Sequence, residues 1–332
     1  MSRIIIGIHG LGNKPPEKIL KKWWKKSIKE GLKVIDHPRL FLKFELVYWA
    51  HFHHPKPLNP KERNEKDPLH LDDPYIPMKY FTPKKPSKLR KKILDYLEKQ
   101  LHKIFLNDDG SINFASITDL IIHRYFRDLD FYYSATYPGE TKTEYPAKEV
   151  IREKLARILE KHRGKHILLI AHSMGSIIAY DVLTQTVPDI TIDTFVTIGS
   201  PLGLPIVMSK ILLEQNKTVK KGTRAKRPKN VLKNWYNFSD LEDKVALDHS
   251  LADDYEESSS HVQVIDKVVY NNYEHDGKRN PHKSYGYLRT PELAEVIHDF
   301  LNQGKNKAII RITDKLNRLL TKKIKRVNKL NQ

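Results

Sequence analysis

The chain has 332 residues, 39% of them hydrophobic, long enough for one large α/β domain with an insertion or for two ordinary domains. It contains no cysteine, which excludes a disulfide framework, a thiolate metal cluster and a cysteine nucleophile, and fits a reducing cytosol. Its formal charge of +19 is patchy: seven basic residues and no acid lie between Lys217 and Lys229, ten basic residues against Asp314 alone follow Leu301, and the rest is near neutral.

From the start, Arg3 to His9 reads as a buried strand. Its apolar run, Ile4-Ile5-Ile6, is too short for a signal-peptide core and has no cleavage site. Nowhere do about 18 apolar residues run consecutively, so no bilayer-spanning segment is expected, and the cytoplasm or its membrane face is the default location. The glycine-rich turn His9-Gly10-Leu11-Gly12-Asn13 follows, then a helix around Ile19 to Gly31 and a second strand over Phe41 to Trp49. Between residues 51 and 143 the regularity fails. Eight prolines lie between Pro55 and Pro86, then come a lysine-rich amphipathic stretch (Leu89, Ile93, Tyr96, Leu97, Leu101, Ile104) and a helical segment near Ile117 to Leu129, together read as an inserted cap.

The pattern returns at Ala147 with a helix to His162, a strand His166 to Ala171, a helix Ser176 to Leu183 and a strand Thr194 to Ile198 that runs into Gly199-Ser200-Pro201. Strands are expected at Asn234 to Phe238 and His261 to Tyr270, and a closing helix at Pro291 to Leu301, with proline in its first turn and Gly304 beyond its end. Alternating strands and helices of this length predict an α/β domain over residues 1–304, with a mostly parallel sheet and helices on both faces. Residues 305–332 form a basic tail whose stripe Ile309, Ile312, Leu316, Leu320, Ile324 and Val327 follows helical spacing.

The main chemical signal is Ala171-His172-Ser173-Met174-Gly175, between the apolar strand Ile167-Leu168-Leu169-Ile170 and the apolar helix Ile177-Ile178-Ala179-Tyr180. A serine at a tight strand-to-helix turn is held in a strained conformation, needs small residues two before and two after it, and projects its Oγ above the sheet. The helix that begins there aims its N-terminus at the site, which favours a developing oxyanion.

With this elbow the sequence resembles the lipase and esterase branch of the α/β-hydrolase family over the sheet-forming parts, about three quarters of the chain. The resemblance implies an oxyanion hole from the backbone N–H groups of Leu11 and Met174, with His9 bracing the loop rather than transferring protons. It implies the order Ser, acid, His. Asp240 and Asp243 both follow the strand ending at Phe238, and the family form, aspartate closely followed by valine, favours Asp243 with Val245. His282, in Asn280-Pro281-His282-Lys283-Ser284-Tyr285, stands where the family places its base; His275, His249 and His261 are lesser candidates among 16 histidines. Gly199-Ser200-Pro201 resembles a family turn and is read as lining the substrate pocket, with Ser200 structural.

The expected reaction is hydrolysis of a carboxylic ester by Ser173, Asp243 and His282 through an acyl-enzyme, without cofactor or metal. Lipase-like members of the family use apolar pockets under caps, so with Tyr75, Tyr80, Phe81 and Phe105 in the insertion the resemblance implies an apolar acyl pocket. His51-Phe52-His53-His54 lacks a carboxylate partner and an H-E-x-x-H helix, which argues against a metal site. The same triad would also serve an acyltransferase, and a non-catalytic protein working through its basic segments is the rival of a different class. Segments 217–229 and 305–332 suit an anionic membrane surface, the alternative for the tail being a helix packed on its own domain; no specific nucleic acid partner is expected.

Overall fold

A computed structural model describes residues 2–78, 87–92, 129–138, 144–217, 223–256 and 262–330, the last nine of these and residues 137, 138 and 144 as backbone only. Six strands form one parallel sheet: β1 (Arg3–Ile8), β2 (Phe44–Val47), β5 (His166–His172), β6 (Ile192–Ile198), β7 (Val231–Ser239) and β8 (Val264–Val268), in the order β2-β1-β5-β6-β7-β8. Two short antiparallel hairpins, β3 (Thr136–Pro138) with β4 (Glu144–Pro146) and β9 (Glu274–His275) with β10 (Lys278–Arg279), stand apart from it.

Successive strand residues point to opposite faces, and both faces here are apolar, so the strands read as unbroken hydrophobic runs. Ile4, Ile6, Ile8, Ile167, Leu169 and Phe195 join a core with α2 (Ala147–Lys161), α3 (Met174–Asp181) and α4 (Pro205–Glu214). Ile5, Leu168, Ile170, Val196 and Phe238 face α1 (Glu17–Val34), the short α5 (Ser284–Tyr287) and α6 (Pro291–Asn302). α1 forms because Leu20, Trp24, Ile28 and Leu32 recur every fourth residue and bury one stripe between lysine-rich flanks.

The chain winds outward in both directions from β1, to β2 on one side and to β5 on the other. Ile8 pairs with Ala171, so the loop after β1 and the elbow after β5 emerge together at this switch point, where open parallel sheets bind their ligands.

Several sequence boundaries move. Phe41, 92% exposed, lies outside β2; α3 starts at Met174 and relaxes into one π-helical turn, Val182–Thr186; and α4 has no counterpart in the sequence reading. The cap positions Tyr80, Phe81, Ile93 to Ile104, Phe105 and Ile117 onward lie outside the described residues until Leu129, and His261 does too. No helix among the described residues is long and apolar enough to cross a membrane.

Candidate active site

Ser173 has φ 54° and ψ −130°, a conformation that costs most L residues strain. Its N–H is anchored to the Ile198 carbonyl of β6 at 3.1 Å. The β1 loop presses against this elbow: a methyl on Gly175 would stand 2.7 Å from the His9 carbonyl oxygen, and one on Gly10 would stand 2.5 Å from Ser173 Cβ. The requirement for small residues around the serine therefore comes from the neighbouring loop as well as from the turn.

His282 Nε2 lies 3.0 Å from Ser173 Oγ, and its Nδ1 lies 2.9 Å from both oxygens of Asp243. A carboxylate only accepts, so Nδ1 carries the proton and Nε2 is left as the acceptor for the serine hydroxyl. Asp243 also accepts the Val245 N–H at 2.9 Å and the Tyr287 hydroxyl at 2.7 Å. The carboxylate is thus fully occupied and its side chain inaccessible to water.

Asp240 does different work. It accepts the Glu242 N–H at 2.8 Å and the Asn271 N–H at 2.7 Å, and it pairs with Arg279. Asn271 in turn donates to the carbonyls of Pro281 and Lys283 at 2.7 and 2.9 Å, which frames the segment that carries His282. Of the other histidines, His275 pairs with Asp276 in its own hairpin, while the His249 carbonyl accepts from Asn237.

The loop after β1 is held by His9, buried and pushed well below the ordinary imidazole range, first by burial and then by the Lys14 charge. Neutral, it donates from Nδ1 to the Gly10 carbonyl at 2.8 Å and accepts the Trp49 N–H on Nε2 at 3.0 Å. The Lys14 ammonium donates to the Leu11 and Gly12 carbonyls and so ties down the turn. Met174 is the first residue of α3, where helix N–H groups have no partner within the helix.

Two residues escaped the sequence reading, and a third has a further role. His172 donates from Nε2 to the His282 carbonyl at 2.7 Å, and its ring centroid stands 4.8 Å from that of His282. Burial, then the neighbouring His282, pushes its pKa well down, so it is a neutral brace. Tyr287 bridges the two aspartates, accepting the Asp240 N–H at 2.9 Å while donating to Asp243. Gly199, read as pocket lining, instead makes room for the acid: at φ 53° it sits where a Cβ would be 2.8 Å from Asp243 Oδ2 and 3.2 Å from His282 Nδ1. Ser200 bonds Ser176 Oγ at 2.7 Å and the Leu202 N–H at 3.2 Å, a structural role.

Above Ser173 lies a cavity of about 670 Å³. The described cap residues Glu65, Asp67, Asp72 and Asp73 give it one charged wall, and Lys14, Lys283 and apolar Leu11, Leu58, Leu71 and Val245 share the rest of the lining. The apolar pocket expected from the cap aromatics does not arise at Tyr75, which is packed between Trp23 and Tyr285 and bonded to Glu30 at 2.5 Å. His51 stacks on Tyr48, and His53 packs at a tilt against Phe131. Among the described residues, three metal-capable side chains converge at His37, His298 and Asp314, where Arg39, 3.4 Å from Asp314, already compensates the carboxylate.

Residues 124–276 match the family model described as the PGAP1-like alpha/beta domain. This span includes β5 to β8, Ser173 and Asp243, and stops short of His282. No curated protein and no solved structure matches the chain significantly.

Proposed function

We propose that this chain, which has the α/β-hydrolase fold, is a serine hydrolase that cleaves a carboxylic ester through Ser173, His282 and Asp243. The observation that carries this reading is the continuous hydrogen-bonded line from Ser173 Oγ through both nitrogens of His282 to Asp243. In this mechanism Ser173 Oγ bonds to the acyl carbon while His282 Nε2 takes its proton, and Asp243 stabilises the imidazolium without being protonated. The Leu11 and Met174 N–H groups hold the oxyanion. On collapse the C–O bond to the alcohol breaks, His282 protonates the leaving oxygen, and a water repeats the sequence on the acyl-enzyme to release the acid.

The charged wall narrows the substrate. An ester whose group on the side of residues 65–73 is polar keeps those carboxylates and ammonium groups paired, whereas a wholly apolar one strips them of water without return. Esters that carry a charged or hydroxylated group on that side are therefore favoured over simple alkyl esters.

A fluorescent fluorophosphonate is expected to label the wild type and not Ser173→Ala, and Ser173→Ala should lower kcat/KM by at least about 10⁴ with unchanged melting temperature. Labelling retained in Ser173→Ala, or absent from a wild type that melts cooperatively, would overturn the assignment.

A further inference from the structure

The tail helix α7 (Lys307–Leu330) is docked on its polar side. Asp314, 3% exposed, meets His37 Nδ1 at 2.7 Å and Arg39 at 3.4 Å, and Arg318 pairs with Asp36 at 3.0 Å. At about 100° per residue, the partly buried positions Ile310, Thr313, Asn317 and Thr321 fall around the same side as Asp314. The apolar stripe lies roughly a third of a turn away and faces solvent: Ile309, Ile312, Leu316, Leu319 and Leu320 are 46–60% exposed. A surface helix ordinarily turns such a stripe to its own core, so this orientation leaves a contiguous apolar face open. Between it and the docked side, exposed Lys307, Arg311 and Lys315 form a basic edge, and from residue 300 onward the buried Asp314 is the only acid.

From this we infer that α7 is a docking face for an anionic phospholipid membrane, with the helix lying in the interface plane. The occupant has to supply apolar contact beneath the Ile/Leu stripe and negative charge along its edge, and a bilayer with anionic headgroups supplies both at the right depth. A nucleic acid would satisfy the basic edge but leave the stripe in water. A second copy of the chain would cover the stripe but bring no counter-charge from its own tail, whose only acid, Asp314, is already paired. The other basic segment has no comparable face among its described residues: Lys217 pairs with Glu256, and Arg227 is buried.

The test is flotation of the full chain with vesicles of phosphatidylcholine, alone or mixed with phosphatidylserine. Wild type is expected to float with the mixed vesicles only, and to be released in 1 M salt, where the Debye length is about 3 Å. The double variant Leu316→Asp/Leu320→Asp, and separately Arg311→Glu/Lys315→Glu, should each lower binding at least about tenfold at unchanged melting temperature. Ile312→Asp, at the most exposed of the five positions, gives the same reading with the least demand on the fold. No flotation with mixed vesicles, or flotation that survives Ile312→Asp and the leucine pair, overturns the inference. So does a wild-type dimer that the leucine pair converts to a monomer without any vesicle binding.

Discussion

At the residue scale the site rests on a few atoms held against their ordinary preferences. Ser173 sits at φ 54° and ψ −130°, a region glycine enters freely. Comparing two inactive variants isolates that strain: Ser173→Gly is expected to exceed Ser173→Ala in stability by about 1 kcal/mol, both lacking fluorophosphonate labelling. Equal stability by denaturant unfolding would mean the elbow is relaxed. The serine and the histidine were legible because a strand-elbow-helix pattern and chain order point to them. Tyr287 and His172 were not, because their partners, Asp243 and the His282 carbonyl, lie 44 and 110 residues away, beyond any local spacing rule.

At the element scale, α2 and α3 are joined by a buried ionic network. Asp181 of α3 accepts the Tyr132 hydroxyl at 2.8 Å and pairs with Arg152 of α2, with Glu214 at 3.3 Å from the same guanidinium. Burial outweighs the Arg152 attraction and pushes Asp181 up from 3.8 to about 6. Between those values the folded chain keeps a proton that the unfolded chain has lost. The contribution is therefore present below the unfolded value and is lost as pH rises through the folded one. The stability of wild type relative to Asp181→Asn should accordingly fall between about pH 4 and pH 7; a difference independent of pH would refute the raised value. The sequence marked α2 by period and the all-buried α3 by its place after the elbow, but missed α4, whose residues Pro205 to Ser209, Ile211 and Leu212 are all buried, so no polar face sets a 3.6-residue rhythm.

At the scale of the whole molecule, the site and the tail occupy opposite ends of the sheet. Arg3, which opens β1, donates to the Gln303 carbonyl just before the tail, whereas Ser173 and the loop after β1 lie beyond the strands' C-terminal ends. Six residues of strand at about 3.3 Å each separate the two. Removing residues 305–332 is therefore expected to leave Ser173 labelling and hydrolysis of a water-soluble ester within about twofold of wild type, at some loss of melting temperature from the Asp314 contacts. A large fall in kcat would show that the two ends are coupled.

By itself the sequence determined the parallel α/β plan, the strained serine and its order with acid and base, because hydrophobic period, small residues at the elbow and turn chemistry act over a few neighbouring positions. Between the two aspartates the sequence leaned to Asp243 only through a family resemblance, and it is the tertiary structure that sets Asp243 against His282. Asp240 and Asp243 stand three residues apart in one loop, and the positive-φ space at Gly199, the hydroxyl of Tyr287 and the Val245 N–H hold the second beside His282. It also decided the character of the cavity and the outward turn of the tail's apolar stripe. Both depend on which surfaces meet across distant parts of the chain, here residues 65–73 over Ser173 and Asp314 against His37.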